Sequence, residues 1–462
     1  MRTTEPRTIE PRSGEPRSVE LQTAILDQAT RVLARNPDDA AAYFARGTAL
    51  RSLRRPHAAR EALTRAVVLN PGMAAGWLNL GNVLSDLGHP QEAERHYRSA
   101  VRHDPLMAEA WTSLGHLLLE QGLAEEAVTA CETAVRLNPG LAEAGWNLAV
   151  ALLLSGDWPR GFQAYEGRKA HPGFRAAFPP LPGPCWDGRD PRGHVILVRA
   201  EQGLGDTIQC ARYLRLIVER GGTPVLTCDP GLVPLIATMP GVVALPHATR
   251  VEGYDAWIDL MSLPLVFGTD RSTVPLADGY LPFPRLSARA GGLRIGIAWA
   301  GNPAHANDRR RSLPSLAVCS LLAPLLAISG VTFVNLQVGR RAKEAGLPDG
   351  SAALPDFRAT AALVASLDLV ISVDSAVAHL AGALGVPVWI LLPHAPDWRW
   401  LLGREDSPWY ASARLFRQAE AGDWGGVIAR VIAALKAARP PGAGSDRGTP
   451  GTARIPRFAP GR

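Results

Sequence analysis

The sequence predicts an α-helical repeat array followed by two α/β lobes, each built on a parallel sheet. Two observations carry this prediction: a 34-residue spacing in the first third of the chain, and an alternation of short β-branched runs with helical stretches in the second half. Of the 462 residues, 47% are hydrophobic and 20% are charged. This length and balance suit roughly two to four folded domains and exclude both wholesale disorder and a disulfide-stapled fold.

The net charge of +6 does not indicate a nucleic-acid surface. Residues 439–462 hold five Arg and one Asp, so +4 of the +6 lies in the C-terminal tail. The five cysteines are scattered, with no C-x-x-C and no His at zinc spacing, which indicates inert thiols in a reducing compartment. No stretch resembles a signal peptide or approaches the ~20 apolar residues of a membrane helix. We expect a cytoplasmic protein without a transmembrane segment.

The N-terminal part of the chain is repetitive. Residues 1–20 carry three copies of E-P-R at five-residue spacing, and Pro at this density predicts a disordered segment. Asn-Pro or Asp-Pro dipeptides then recur every 34 residues from Asn36 to Asn138, and small and large residues keep the same step. Because small residues let helices approach and large ones fill the gaps between turns, the pattern predicts antiparallel helix pairs over 21–170. Gly145 stands in the aromatic position of a degenerate fourth unit.

A Pro- and Gly-rich stretch, 171–192, predicts a linker. Beyond it, strand-length runs alternate with helical stretches, which indicates right-handed βαβ units whose ligands lie at the carboxyl ends of the strands. The strand candidates are 195–198, 225–227, 242–245, 294–299, 331–336, 369–373, 388–391 and 414–416. We place the two lobes at 193–285 and 293–436, and a disordered basic tail at 437–462.

The first candidate site segment is the turn EQGLGD after the first strand. Gly203 and Gly205 permit unusual backbone angles and a close backbone approach, although they do not form G-x-G-x-x-G. Asp206 is a candidate general base that accepts a proton from an attacking hydroxyl. Capping of the following helix is the alternative role of Asp206, and the sequence leaves both open. Glu201 and Gln202 complete the turn at the mouth of the predicted cleft.

The second segment follows the strand candidate 294–299. It contains, in order, Asn302, His305, Asn307, Asp308, Arg309, Arg310 and Arg311. Arginines at the carboxyl end of a parallel strand suit a diphosphate, whereas a solvated charge run is the alternative. The sequence does not decide which of the three arginines faces the cleft.

The third segment follows the strand candidate 369–373. Ser375 opens an Ala- and Leu-rich helix, whose amide groups and positive end suit the pyrophosphate of a nucleotide. His379 lies four residues later, and a ligand contact and a core histidine are equally open for it. Asp374 beside a phosphate would repel it, so we expect Asp374 to cap the helix or to accept from a sugar hydroxyl. The sequence has no P-loop, D-x-D pair, metal-ligand cluster or G-x-S-x-G elbow.

These segments resemble a GT-B glycosyltransferase and are similar to glycosyltransferase family 9, the heptosyltransferase-like family, in a form fused behind tetratricopeptide repeats (TPR). The order of repeats and lobes resembles, more distantly, the O-linked N-acetylglucosamine transferases. The resemblance rests on residues 201–209, 299–314, 371–389 and 396–410 as well as on the repeats. It implies a metal-independent, inverting transfer from a nucleotide-activated sugar, with no cofactor.

The resemblance also implies roles for individual residues. Asp206 falls on the general base and Arg311 on a contact to the donor phosphates, where relatives can carry Lys. Gln337 falls near the nucleotide base, while the turn that cradles the donor falls on Asp374, Ser375 and His379.

The acceptor stays open between a protein and a glycan such as lipopolysaccharide. We expect the concave TPR face to recruit the acceptor or a partner protein, a spacer role being the alternative. A nucleic-acid partner is not expected. The alternative function is a non-catalytic TPR interaction scaffold with a degenerate domain that binds nucleotide-sugars.

Overall fold

The computed structural model describes residues 16–284, 292–302, 308–350 and 353–438. The chain divides into two compact units. The first comprises the described residues up to Ser155 together with Gln163–Phe174, and the second comprises Gly156–Phe162 and the described residues from Arg175 onward. Within the ranges given above, no helix combines the length and the apolar character that crossing a bilayer demands.

The first unit is a succession of helices with the predicted 34-residue step. They are α1 (Pro16–Arg35), α2 (Ala40–Ser52), α3 (Pro56–Leu69), α4 (Ala74–Asp86), α5 (Pro90–His103), α6 (Ala108–Glu120), α7 (Ala124–Leu137) and α8 (Ala142–Ser155). Helix α9 (Trp158–Tyr165) and helix α10 (Pro172–Ala177) follow. Helix α1 begins inside the segment predicted as disordered, so residues 16–20 are helical, and the rest of that segment lies outside the described residues.

The small residues of the repeat allow the two helices of each pair to pack closely. A Cβ atom built on Gly81 would lie 2.6 Å from the ring of Tyr97, and one on Gly115 would lie 2.4 Å from Sγ of Cys131. Gly47 is in the same position in the preceding unit. Real Cβ atoms do not approach other atoms so closely, so glycine suits these three positions. The physical reason predicted for the small residues is confirmed.

The first lobe of the second unit is a parallel sheet with the strand order β3-β2-β1-β4. Its elements are β1 (Val195–Arg199), α11 (Leu204–Cys210), α12 (Arg212–Glu219), β2 (Thr223–Cys228), α13 (Val233–Ile236), β3 (Val243–Pro246), β4 (Ala256–Asp259) and α14 (Leu263–Val266). The order reverses between β1 and β4, and this is the place where ligands bind in open α/β sheets. Strand β4 was not predicted, because Ala256–Asp259 contains a single β-branched residue.

The segment predicted as a linker contributes to this lobe. Cys185 forms an isolated parallel bridge with Trp257 of β4, and the backbone N–H of Trp257 donates to the carbonyl of Pro184 at 3.0 Å. Arg199 at the end of β1 donates to the carbonyl of Pro179 at 2.7 Å. Residues 179–185 therefore cover the outer edge of the sheet instead of running free.

The second lobe is a five-stranded parallel sheet with the order β6-β5-β7-β8-β9. Its elements are β5 (Leu293–Ala298), α15 (Asp308–Arg311), α16 (Val318–Leu326), β6 (Val331–Asn335), α17 (Phe357–Ala365), β7 (Leu369–Val373), α18 (Ala376–Ala383), β8 (Val388–Leu392), β9 (Ala413–Arg417) and α19 (Trp424–Ala437). Here the order reverses between β5 and β7. The fold class predicted from the sequence, helical repeats followed by two Rossmann-like lobes of the GT-B kind, is confirmed.

Candidate functional site

The three predicted site segments lie at the two points where the strand order reverses. The turn that contains Glu201 follows β1 in the first lobe. The loop with Asn302 follows β5, and Asp374 follows β7, so both lie at the reversal in the second lobe. Parallel strands carry their ligands at this edge. Topology alone thus explains why these segments, far apart in sequence, point into the same part of each lobe.

Glu201 stabilises the turn that follows β1. Its side chain is buried, and Oε1 accepts a hydrogen bond of 3.2 Å from the backbone N–H of Met261. Because Met261 follows β4, this bond ties the carboxyl end of β1 to the chain that leaves β4. The next two residues of the turn, Gln202 and Gly203, are half-buried, and Asn302 of the second segment is exposed.

Asp206 does not occupy the N-cap position that the sequence indicated. Helix α11 begins earlier, and Gly203 is its N-cap. Asp206 is the third residue of α11, and its Oδ2 accepts from the Gly203 N–H at 3.0 Å, as the acidic residue of a capping box does. The second carboxylate oxygen, Oδ1, accepts from Nη2 of Arg399. The side chain of Asp206 is still 18% exposed, so it reaches solvent.

Gly205 brings the first and third segments together. A Cβ atom at this position would lie 2.8 Å from Cδ2 of His379 and 3.7 Å from Cα of Ala376. The start of α11 therefore lies directly on the start of α18, and only glycine leaves room for this contact. Asp206 follows Gly205, and Ser375 precedes Ala376, so the candidate base and the candidate phosphate cradle are on neighbouring turns.

His379 lies in the packed junction between the lobes. It is 4% exposed, its Nδ1 lies 2.9 Å from the hydroxyl of Tyr410, and its ring stacks on Trp400 with centroids 5.3 Å apart. The other ring nitrogen, Nε2, is 3.8 Å from Oδ1 of Asp374. Burial, with help from the charge of Arg399, lowers the pKa of His379 to about 3. The imidazole is neutral, and its geometry favours the core histidine over the ligand contact.

Asp374 faces a positive charge and does not cap the helix. Ser375 is the N-cap of α18, and its hydroxyl lies 2.9 Å from that of Ser372. Oδ2 of Asp374 is 3.5 Å from Nη1 of Arg311, and burial raises the pKa of this carboxyl although Arg311 opposes the shift. The expectation that Asp374 caps the helix is wrong, because the chain turns into α18 one residue later. A contact between Asp374 and a sugar hydroxyl stays a prediction.

The arginine triplet separates into different environments. Arg311 is half-buried and directed at the carboxyl end of β7 through its contact with Asp374, whereas Arg310 is exposed. The side chains of Asp308 and Arg309 lie outside the described residues, as do His305 and Asn307. Of the two arginines whose side chains are described, Arg311 is the one that contacts Asp374 of the third segment.

Gln337 has a structural use. Its side-chain oxygen accepts from two backbone N–H groups, those of Trp299 at 3.1 Å and Ala300 at 2.9 Å. Its own N–H donates to Oδ1 of Asn335 at 2.9 Å. Gln337 is buried and connects the chain after β5 to the end of β6. Its predicted place near the nucleotide base is not tested by these contacts and stays a prediction.

Arg399 is the site residue that sequence reasoning missed. Besides Asp206, it donates from Nε to Oε1 of Gln209 at 2.6 Å and from Nη1 to Oδ1 of Asp397 at 2.7 Å. Its side chain is 7% exposed. Burial opposes ionisation of Asp397, but Arg399 outweighs it and lowers the pKa of that carboxyl. The stretch 396–410 stood out in the sequence, yet no local pattern pairs it with a turn almost two hundred residues earlier.

A metal has no evident place among these groups. Across residues 16–284, 292–302, 308–350 and 353–438, no three His, Cys, Asp or Glu side chains form a cluster that could hold an ion. The metal-independent reaction remains a prediction from the resemblance.

Comparison with known families matches two parts of the chain. The tetratricopeptide repeat family matches residues 26–77 and 78–142. Glycosyltransferase family 9 (heptosyltransferase) matches residues 353–397, which contain Asp374, Ser375 and His379. The first part of the chain is therefore similar to tetratricopeptide repeats, and a short segment of the second lobe is similar to glycosyltransferase family 9.

Protein FlbA of Caulobacter vibrioides is 31% identical in an alignment of 327 residues that covers 62% of this chain and 54% of FlbA. The chain thus spans about half the length of this curated relative. Among solved structures, MamA is 20% identical over 33% of this chain and 90% of its own, with a TM-score of 0.31. YrrB, described as a TPR protein with an unusual peptide-binding site, is 21% identical over 32% of this chain and 76% of its own, with a TM-score of 0.30.

Proposed function

We propose that the protein is an inverting, metal-independent glycosyltransferase that moves a sugar from a nucleotide-activated donor to an acceptor hydroxyl. The observation that carries the proposal is the contact between Gly205 and the start of α18. This contact sets Asp206, from one lobe, beside the segment of the other lobe that matches glycosyltransferase family 9.

On the acceptor side, Asp206 takes the proton of the attacking hydroxyl as its oxygen forms the new bond to the anomeric carbon. Both carboxylate oxygens are already held, by Gly203 and Arg399. A carboxylate offers about four acceptor sites, so two remain for a hydroxyl. The partial exposure of Asp206 gives the acceptor a route to them.

On the donor side, the bond between the anomeric carbon and the diphosphate oxygen breaks, and the diphosphate leaves with the electron pair. The amide groups at the start of α18 and the guanidinium of Arg311 stabilise this developing charge. Asp374 contacts Arg311 at 3.5 Å, and burial raises the pKa of its carboxyl. The arrangement supplies fixed positive groups where a metal would otherwise neutralise the leaving group.

The first test is a donor screen. Purified protein is heated with a panel of nucleotide-sugars, because a ligand that binds only the native state raises the melting temperature. Release of nucleoside diphosphate from the stabilising donor, with candidate protein and glycan acceptors, then measures turnover. If no donor on a broad panel stabilises the protein, the donor site at α18 is wrong.

The second test is Asp206→Asn. The amide cannot accept the proton, so we expect turnover to fall at least about 100-fold while the donor still raises the melting temperature. Asp229→Asn is the matched control, because Oδ1 of Asp229 accepts from the backbone N–H of Gly231 at 2.8 Å at the end of the next strand, β2. Wild-type turnover in Asp206→Asn removes Asp206 from the mechanism.

The alternative is a TPR scaffold with a nucleotide-sugar-binding domain that has lost turnover. It predicts a donor that raises the melting temperature but is neither hydrolysed nor transferred to any acceptor offered. The TPR unit supports recruitment of the acceptor or a partner protein under either function. Turnover is measured with protein acceptors and with glycan acceptors, in the presence and absence of a protein that binds the repeats. This comparison shows which class of acceptor is used and whether the repeats recruit it.

A further inference from the structure

Arg399 fixes the carboxylate of Asp206 from the opposite lobe. Its side chain donates from Nε to Gln209, from Nη1 to Asp397 and from Nη2 to Asp206. A guanidinium presents these donors in one plane, so its orientation is determined once two of them are bound. Asp397 and Gln209 therefore determine where Nη2 lies, and Nη2 determines where Oδ1 of Asp206 lies.

Arg399 packs on Trp398, which belongs to a group of buried aromatic side chains. The guanidinium lies 4.4 Å from the ring centroid of Trp398. We call Trp158, Phe162, Trp398 and Trp409 the aromatic bracket; all four are buried. The ring of Phe162 packs edge to face on that of Trp398, with centroids 5.7 Å apart, and the ring of Trp409 packs on Trp398 in the same way, with centroids 6.0 Å apart. The other members of the aromatic bracket restrict the ring of Trp398, and this ring in turn restricts the guanidinium of Arg399.

Two members of the aromatic bracket come from a distant part of the chain. Trp158 and Phe162 belong to helix α9, which precedes both sheets, whereas Trp398 and Trp409 belong to the stretch between β8 and β9. Trp158 is completely buried and stacks on Trp409 with centroids 4.9 Å apart. Helix α9 thus contributes side chains to the packing behind the candidate base.

We propose that Arg399 is a positioning residue for Asp206, and that Phe162 acts on the same carboxylate through Trp398 and Arg399. This inference rests on the proposed function, because it requires Asp206 to be the base. A displacement of about 1 Å at a reacting group can reduce a rate by about 100-fold. Loss of the planar guanidinium should therefore reduce kcat and leave the binding of the donor almost unchanged.

The first variant is Arg399→Lys, which keeps the positive charge and loses the planar fork. We expect kcat for donor turnover to fall about tenfold or more and the donor KM to change by less than about threefold. Arg404→Lys is the matched control, because Arg404 pairs at 2.7 Å with Asp406, two residues away, just as Arg399 pairs with Asp397. The control should keep wild-type kcat.

The second variant is Phe162→Leu, which keeps an apolar side chain and loses the edge-to-face contact with Trp398. It should lower kcat several-fold without changing the donor KM. The double variant with Arg399→Lys should be no slower than Arg399→Lys alone, because both changes act on one carboxylate. A merely structural role of Phe162 would instead add its effect in both backgrounds.

Three results separate the possible failures. Wild-type kcat in Arg399→Lys, together with an inactive Asp206→Asn, overturns the inference and keeps the proposed function. Wild-type turnover in Asp206→Asn overturns both. If Arg399→Lys does not unfold cooperatively, Phe162→Leu decides alone, and an unchanged kcat in that variant overturns the inference.

Discussion

The contact between the lobes at Gly205 makes a quantitative prediction for Gly205→Ala. The new Cβ would lie 2.8 Å from Cδ2 of His379 and 3.4 Å from its Nε2. The ring cannot move aside easily, since Tyr410 holds Nδ1 and Trp400 covers one face. Overpacking of this kind costs about 1–3 kcal/mol. Against it stands the gain from replacing a helical glycine by alanine, about 1 kcal/mol.

A matched substitution isolates the cost of the contact. Gly425 is the second residue of α19, as Gly205 is the second residue of α11, and both belong to the second unit. A Cβ atom on Gly425 would meet nothing closer than Oδ1 of Asp423, at 3.8 Å. The helix-propensity gain is common to both changes and cancels in their difference. We expect Gly205→Ala to be less stable than Gly425→Ala by about 1–3 kcal/mol.

The measurement is urea unfolding followed by tryptophan fluorescence, with the midpoint and slope fitted for each variant. Gly425→Ala should unfold at or slightly above the wild-type midpoint, and Gly205→Ala below it. Equal midpoints for the two variants would show that α11 does not lie on α18 in solution. The proposed position of Asp206 beside the family 9 segment would then be wrong as well.

Two further predictions concern buried groups. His379 stays neutral in the folded protein because burial lowers its pKa from 6.5 to about 3. Below pH 6.5 the unfolded chain therefore binds a proton that the folded chain does not. The free energy of unfolding should fall by about 1.4 kcal/mol per pH unit toward pH 3. His379→Asn should remove this contribution, and identical slopes of unfolding free energy against pH in both proteins would contradict it. Gln337→Met removes the acceptor of two backbone N–H groups. The free energy of unfolding should therefore fall by about 2 kcal/mol or more. An unchanged urea midpoint would show that these two hydrogen bonds do not stabilise the fold.

Periodic features of the fold were predictable from the sequence because they depend on neighbours in the chain. The 34-residue step located the helices of the repeats, and short runs of strand length located every strand except β4. The same logic placed the turn at Asp206 and the helix start at Ser375 on ligand-binding edges, since parallel strands present their carboxyl ends there. These are local signals combined with one topological rule.

Partners across long sequence separations were not predictable in this way. The bond from Arg399 to Asp206 joins residues 193 positions apart, and the one from His379 to Tyr410 crosses β8 and the stretch that follows it. Gln337 shows the same difficulty, because its two backbone partners follow a different strand. A sequence period does not report contacts between distant residues. The sequence therefore cannot distinguish a polar residue that binds a ligand at this edge from one that bonds to the backbone.

The stretch between β8 and β9 explains why the two lobes share one candidate site. It leaves the second sheet after β8 and packs on the first lobe, where the completely buried Arg212 of α12 donates to the carbonyl of Trp409 at 2.9 Å. The same guanidinium lies 4.8 Å from the ring of Tyr280 and 5.0 Å from that of Tyr410. Carbonyl oxygens and ring faces thus surround this cation, and its planar shape suits both kinds of contact at once. Since this stretch also carries Arg399, the interaction that joins the lobes and the interaction that orients Asp206 belong to one segment, and neither lobe alone would hold the candidate base in place.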